Sequence, residues 1–63
     1  MTVTYELRVN DSWIRTELRD LKKGDVFRVR NAFNMILYTY RAIADAEYWE
    51  EDEKWGVMAD DNA

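Results

Sequence analysis

The sequence predicts a mainly β fold, a small antiparallel meander or partly open barrel of four to five strands with at most one short helical turn. Three observations carry that expectation. Apolar and polar residues alternate over positions 2–9 and again over 25–30, the period-two signature of a half-buried strand. The most apolar run, 35–44, is rich in β-branched and aromatic residues, which suit a pleated surface better than a helix. Between the runs stand Asn10-Asp11, Gly24 and the pair Asn31 and Asn34, residue types that supply turn geometry.

In chain order, Val3, Tyr5, Leu7 and Val9 form one stripe and Thr2, Thr4, Glu6 and Arg8 the other. Asn10-Asp11 is turn chemistry, since both side chains bond their own backbone and tolerate left-handed geometry. Residues 12–16 then read as a short returning strand, completing a hairpin. Leu18 and Leu21 are three apart, which suits a single helical or 3₁₀ turn but not a stable helix. Gly24 is the candidate for positive φ. Phe27 and Val29 share one face of a third strand, with Val26, Arg28 and Arg30 on a basic outer face.

The run 35–44 admits two readings. Ile36, Leu37, Tyr40, Ile43 and Ala44 fit a helical stripe capped by Asn34, yet alternation works on both faces, and a strand apolar on both faces is a central one. The strand is the expectation. Residues 45–54 read either as one or two helical turns or as a strand ending in a charged hairpin at Glu51-Asp52-Glu53. Residues 55–59 read as a closing strand in which Gly56 marks a bulge or the close approach of a backbone or ring.

Sixty-three residues make one domain, expected over 1–59 with a frayed tail at 60–63. A chain this short buries only about 60% of its unfolded surface. There is no Cys and no His, so disulfides and structural zinc cannot assist. What remains is an aromatic core, from two Phe, four Tyr and three Trp, together with self-association. A homodimer is expected, with Leu37, Thr39 and Ile43 on the second face of the central run as the contact.

Without His or Cys the usual nucleophile–base pairs are absent. Ser12, the only serine, reads as a turn residue. The run Glu50-Glu51-Asp52-Glu53 lacks the alternate-residue spacing and glycine of a calcium loop, and a chain this short is expected to be too small for a pocket of ~300 Å³. The expectation is therefore no enzyme, no cofactor and no metal. No run approaches the ~18 apolar residues of a membrane span, and the opening residues lack a secretory leader's basic-then-apolar pattern. No membrane partner is expected.

Charge is divided unevenly. Residues 1–44 hold eight Lys/Arg against five Asp/Glu, and residues 45–63 hold one Lys against eight Asp/Glu. The acidic third should attract a basic partner and repel nucleic acid. Arg28, Arg30 and Arg41 near Phe27, Tyr38 and Tyr40 would suit single-strand binding, but a pI near 4.6 is far from the basic footprint of nucleic-acid binding, so nucleic acid is not the expected ligand. Aromatic anchors with a charged rim are the material of binding hot spots. That points to Tyr48, Trp49, Glu50, Glu51, Asp52 and Glu53 as partner-binding residues, with Trp49 exposed and Trp55 in the core.

The stretch Leu-Arg-Asp-Leu-Lys-Lys-Gly-Asp-Val-Phe-Arg-Val at 18–29, with Tyr40-Arg41-Ala42, Asp45 and Trp55-Gly56-Val57-Met58-Ala59, resembles small proteins encoded by tailed bacteriophages. The resemblance is one of pattern and covers about half the chain. It implies an accessory protein acting in the host cytoplasm, of a kind that includes inhibitors of host defence proteins. It carries over no functional residue. The expected function is thus non-enzymatic binding, with inhibition, of a host protein through the acidic aromatic surface. The alternatives are a virion structural or assembly component and a small nucleic-acid-binding barrel.

Overall fold

Wherever the chain alternates with period two, it forms strand. A computed structural model describes residues 2–61. It contains β1 (Thr4–Val9), β2 (Ser12–Thr16), β3 (Val26–Arg30), β4 (Ile36–Ala42), β5 (Glu47–Trp49), β6 (Lys54–Gly56) and β7 (Ala59–Asp60). A 3₁₀ turn at Leu18–Asp20 is the one helical element among the described residues. The fold is mainly β and antiparallel, and it does not close into a barrel. The ends of the expected domain and tail, Met1 and residues 62–63, lie outside the described residues. Asp60, expected to fray, instead pairs with Arg41.

Five strands form one sheet in the order β2-β1-β3-β4-β7, and β5 with β6 forms a separate hairpin. The order departs from a sequential meander at its start. Asn10 and Asp11 both adopt positive φ, 49° and 66°, the two-residue turn whose twist matches that of its strands. This folds β2 onto one edge of β1 and leaves the other edge for β3.

Register sorts the side chains into two faces. Tyr5, Val29 and Tyr38 lie in one row, and Leu7, Phe27 and Tyr40 in the next. This is the core face, where Leu21, Phe27, Val29 and Ala42 are buried and Tyr5, Leu7, Leu18, Tyr40, Ala46, Val57 and Ala59 pack around them. The alternate rows place Glu6, Arg15, Arg28 and Thr39 on the opposite face, with Arg8 beside Trp13 and Val26 beside Arg41.

The turn after β2 delivers Leu21 into the core and is tied down by backbone bonds. Gly24 N–H donates to Ala42 O and Ala42 N–H to Asp25 O, both at 2.8 Å, while Ala46 N–H donates to Leu21 O at 3.0 Å. Asp45 Oδ1 accepts from Lys23 N–H and Asp25 Oδ2 from Lys22 N–H, each at 2.8 Å. Gly24 takes φ 92°, as the sequence predicts for it.

The run 35–44 is strand over Ile36–Ala42, but it is not the middle of the core. β3 holds that place, and β7 covers β4 only at Arg41 and Ala42. The register slips between Val29, opposite Tyr38, and Arg30, opposite Ile36. One residue of β4, Leu37, is therefore extra, a bulge that ends the apolar alternation on the core face. Phe33, Met35, Ile36 and Leu37 are left exposed, Phe33 at 82% and Met35 at 60%.

The closing stretch 55–59 also divides. Its first part pairs with β5, and after Val57-Met58 the chain pairs with β4 as β7. This exchange of partner lays the β5–β6 hairpin across the core face of the sheet as a partial second layer.

Candidate binding surface

The hairpin is built on the pairs Glu47↔Gly56, Tyr48↔Trp55 and Trp49↔Lys54. Of the two readings of 45–54, the charged hairpin is the one formed. Four acidic residues, Glu50 to Glu53, make its loop, closed by N–H bonds from Asp52 to Trp49 O and from Glu53 to Glu50 O, both 3.2 Å. Glu53 ends the loop at φ 52°, a left-handed position that costs a residue with a Cβ about 1–2 kcal/mol. All four carboxylate side chains belong to exposed residues.

The two tryptophans take opposite roles to those expected. Trp49 is half-buried, its ring lying over Gly56, and a Cβ on Gly56 would overlap ring atoms Cζ3, Cη2 and Cε3. The close approach anticipated at Gly56 is thus made by this ring. Trp49 Nε1–H donates to Glu47 Oε1 at 2.8 Å, which satisfies the indole and fixes its plane. Trp55 is 40% exposed and meets Tyr48 edge-to-face, ring centres 5.9 Å apart, a favoured geometry for aromatic pairs. The glycine frees the inner face for Trp49, so Trp55, one residue earlier on β6, must point the other way.

Two hollows meet at Trp49. One is an acidic depression lined by Glu47, Tyr48, Trp49, Glu50, Glu51 and Asp52. Five of the six expected partner-binding residues are thereby brought together, and Glu53 stands at the loop's end. The other is a cleft of about 410 Å³ between hairpin and sheet, with Phe27 and Val29 in its lining and Tyr5, Tyr38, Tyr40, Trp49 and Trp55 around them. The expectation that so short a chain lacks a hollow of this size is corrected, because the hairpin supplies a second wall. Burial, and then the neighbouring Tyr38, push the Tyr5 phenol above its usual value, so it remains a neutral hydroxyl. Tyr38 and Tyr40 stack obliquely, centres 4.7 Å apart.

The opposite face of the sheet is basic. Arg28 Nε and Arg30 Nε both donate to Glu6 Oε1, at 2.6 and 2.9 Å. The bond from Arg28, and then that from Arg30, hold the Glu6 carboxyl below the usual carboxylate range. The Arg28 guanidinium lies 4.2 Å from the centre of the Trp13 ring, a cation–π contact. Among the described residues, no group of three or more His, Cys, Asp or Glu is arranged to hold a metal ion.

The residues expected to mediate self-association are dispersed. Thr39 sits half-buried opposite Arg28, Leu37 occupies the bulge, and Ile43 follows the end of β4, where its N–H donates to Met58 O at 2.9 Å. Sequence reasoning grouped Tyr38 and Tyr40 with the arginines, which the sheet places on its opposite face, and did not bring Tyr5 together with them. Their common register is set by strand pairing, which alternation along one strand does not reveal. No family model, no curated protein and no solved structure matches this chain.

Proposed function

We propose that the protein is a non-enzymatic binding module that engages a basic segment of a protein partner through the β5–β6 hairpin. One observation carries the reading: Glu47, Glu50, Glu51 and Asp52 surround a depression that also contains Tyr48 and Trp49. The carboxylates are spread around this hollow instead of converging on a point. Such an array suits several cations spaced along a polypeptide better than one ion. The adjoining rings supply the apolar anchor that a charge array alone lacks.

The resemblance to phage accessory proteins gives this module its setting. Its partner is a host protein, and occupation of that protein's basic surface inhibits it by displacing a polyanion. The substitution Glu50→Gln/Glu51→Gln/Asp52→Asn/Glu53→Gln tests the reading in a pull-down from host cells. Capture by the wild type should fall with salt, because exposed charges are screened within about 10 Å at 0.1 M. The neutralised variant should capture little at any salt concentration. Equal capture by both proteins would refute the acidic surface as the binding element.

Self-association is proposed as a second property. It is supported by the exposed run Phe33, Met35, Ile36 and Leu37 beside the part of β4 that β7 leaves uncovered. Exposed strand edges flanked by apolar residues are templates for pairing with another chain.

A further inference from the structure

We propose that the aromatic cleft between hairpin and sheet binds a proline-rich, extended segment, with arginine or lysine adjoining the prolines and lying in the acidic depression. The inference rests on the reading above for the basic part of the partner, and adds the chemistry of what precedes it.

Aromatic rings wall the cleft from both sides, Tyr5, Tyr38 and Tyr40 from the sheet and Trp49 from the hairpin, while Trp55 borders it on β6. Polyproline II segments dock in aromatic-lined grooves of this kind. Their flat pyrrolidine rings pack against aromatic faces, and their carbonyls carry no internal hydrogen bonds. Tyrosine hydroxyls in the lining can donate to those carbonyls. Because such a segment is already extended when free, little ordering entropy is lost on docking. Ring faces make up much of the lining, and recognition through them does not require the N–H groups that proline lacks.

Charge selects among the ligands that aromatic walls could accept. A nucleobase would stack as well as a proline, but its phosphates would face the carboxylates of Glu47, Glu50, Glu51 and Asp52, in a depression that shares the Trp49 wall. Lys54 is the one charged residue in the cleft lining. A cationic segment running past Trp49 meets the opposite field, which fixes where its charged part lies. Prolines lie in the cleft and the cation over the acidic loop.

The test is fluorescence anisotropy with labelled peptides on the whole chain. The probes are six prolines followed by three arginines, the same peptide with Gly-Ser repeats in place of proline, the proline peptide ending in three glutamates, and a ten-residue oligothymidine. The proline–arginine peptide should bind at least ten-fold tighter than the Gly-Ser–arginine peptide. Tyr38→Ala should abolish that advantage while leaving Gly-Ser–arginine binding unchanged. A backbone amide spectrum of the wild type, independent of any variant's folding, should show shifts at Tyr5, Tyr38, Tyr40 and Trp55 with the proline–arginine peptide. Equal binding of both arginine peptides, without shifts at those residues, would overturn the cleft inference and leave the acidic-hairpin reading standing. No binding of either would overturn both. Preference for the glutamate peptide or for oligothymidine would overturn the assigned chemistry.

Discussion

Glu6 shows how one carboxylate can organise a sheet face. Its Oε1 accepts from both Arg28 and Arg30, and its side chain is only 21% exposed, so screening is partial. Hydrogen bonds to charged groups contribute about 1.5–3 kcal/mol each, and removing one partner leaves two arginines beside each other. Because the folded pKa is lowered, the cluster's stabilisation is complete above the unfolded carboxyl range, ~4.3. It is lost as pH falls through the lower folded value. Glu6→Gln should therefore be less stable than the wild type at neutral pH by about 1–2 kcal/mol. For a domain of this size that corresponds to a melting temperature lower by about 4–8 °C per kcal/mol. Melting curves from pH 7 downward should show the two proteins converging in acid; a constant gap would show that Glu6 acts through packing alone.

At the scale of elements, the hairpin depends on Gly56 more than on its own turn. Two strands of three residues each, Glu47–Trp49 and Lys54–Gly56, would be marginal alone; the Trp49 ring over Gly56 packs the two strands against each other. Gly56→Ala should destabilise the fold by about 1–3 kcal/mol, as overpacking does, and red-shift the tryptophan emission as Trp49 is displaced. Gly24→Ala is the contrasting case. Its Cβ would meet open space, but φ is 92°, so it should cost about 1 kcal/mol through backbone strain without moving the emission. Strands β1 to β4 and the Asn10-Asp11 turn were legible in the sequence because alternation and turn chemistry are local. The swap of roles between Trp49 and Trp55 was not. Both lie in apolar or acidic surroundings that look alike in one dimension, and what separates them is the room a missing side chain leaves across a strand pair.

The whole molecule measures 33 × 27 × 18 Å, thin enough for one sheet with a hairpin laid across it. That economy explains where the apolar surface remains. The sequence read 35–44 as needing cover on both faces; the fold instead moves it toward the sheet's side and leaves Phe33 to Leu37 exposed. We expect a dimer in sedimentation equilibrium at micromolar concentration, and a monomer for Phe33→Glu/Leu37→Glu, whose melting temperature should no longer rise with protein concentration. A wild type that stays monomeric at high concentration would exclude self-association through this run. Leu18, Leu21, Gly24, Asp25, Phe27, Ala42, Asp45 and Gly56 supply the core, the tied turn and the hairpin's seat. These residues form the scaffold, while the proposed contacts lie mainly on the hairpin loop and the cleft walls.

The separation of Arg8, Arg15, Arg28 and Arg41 on the outer face of the sheet from the acidic hairpin on the other has a consequence for motion in solution. Charges of opposite sign on the two sides of the sheet give the molecule a permanent electric dipole. Near a basic surface, such a body rotates before it touches, presenting the hairpin and turning the arginines away. The field therefore selects an orientation as well as a partner, and it does so at a distance set by the surrounding salt.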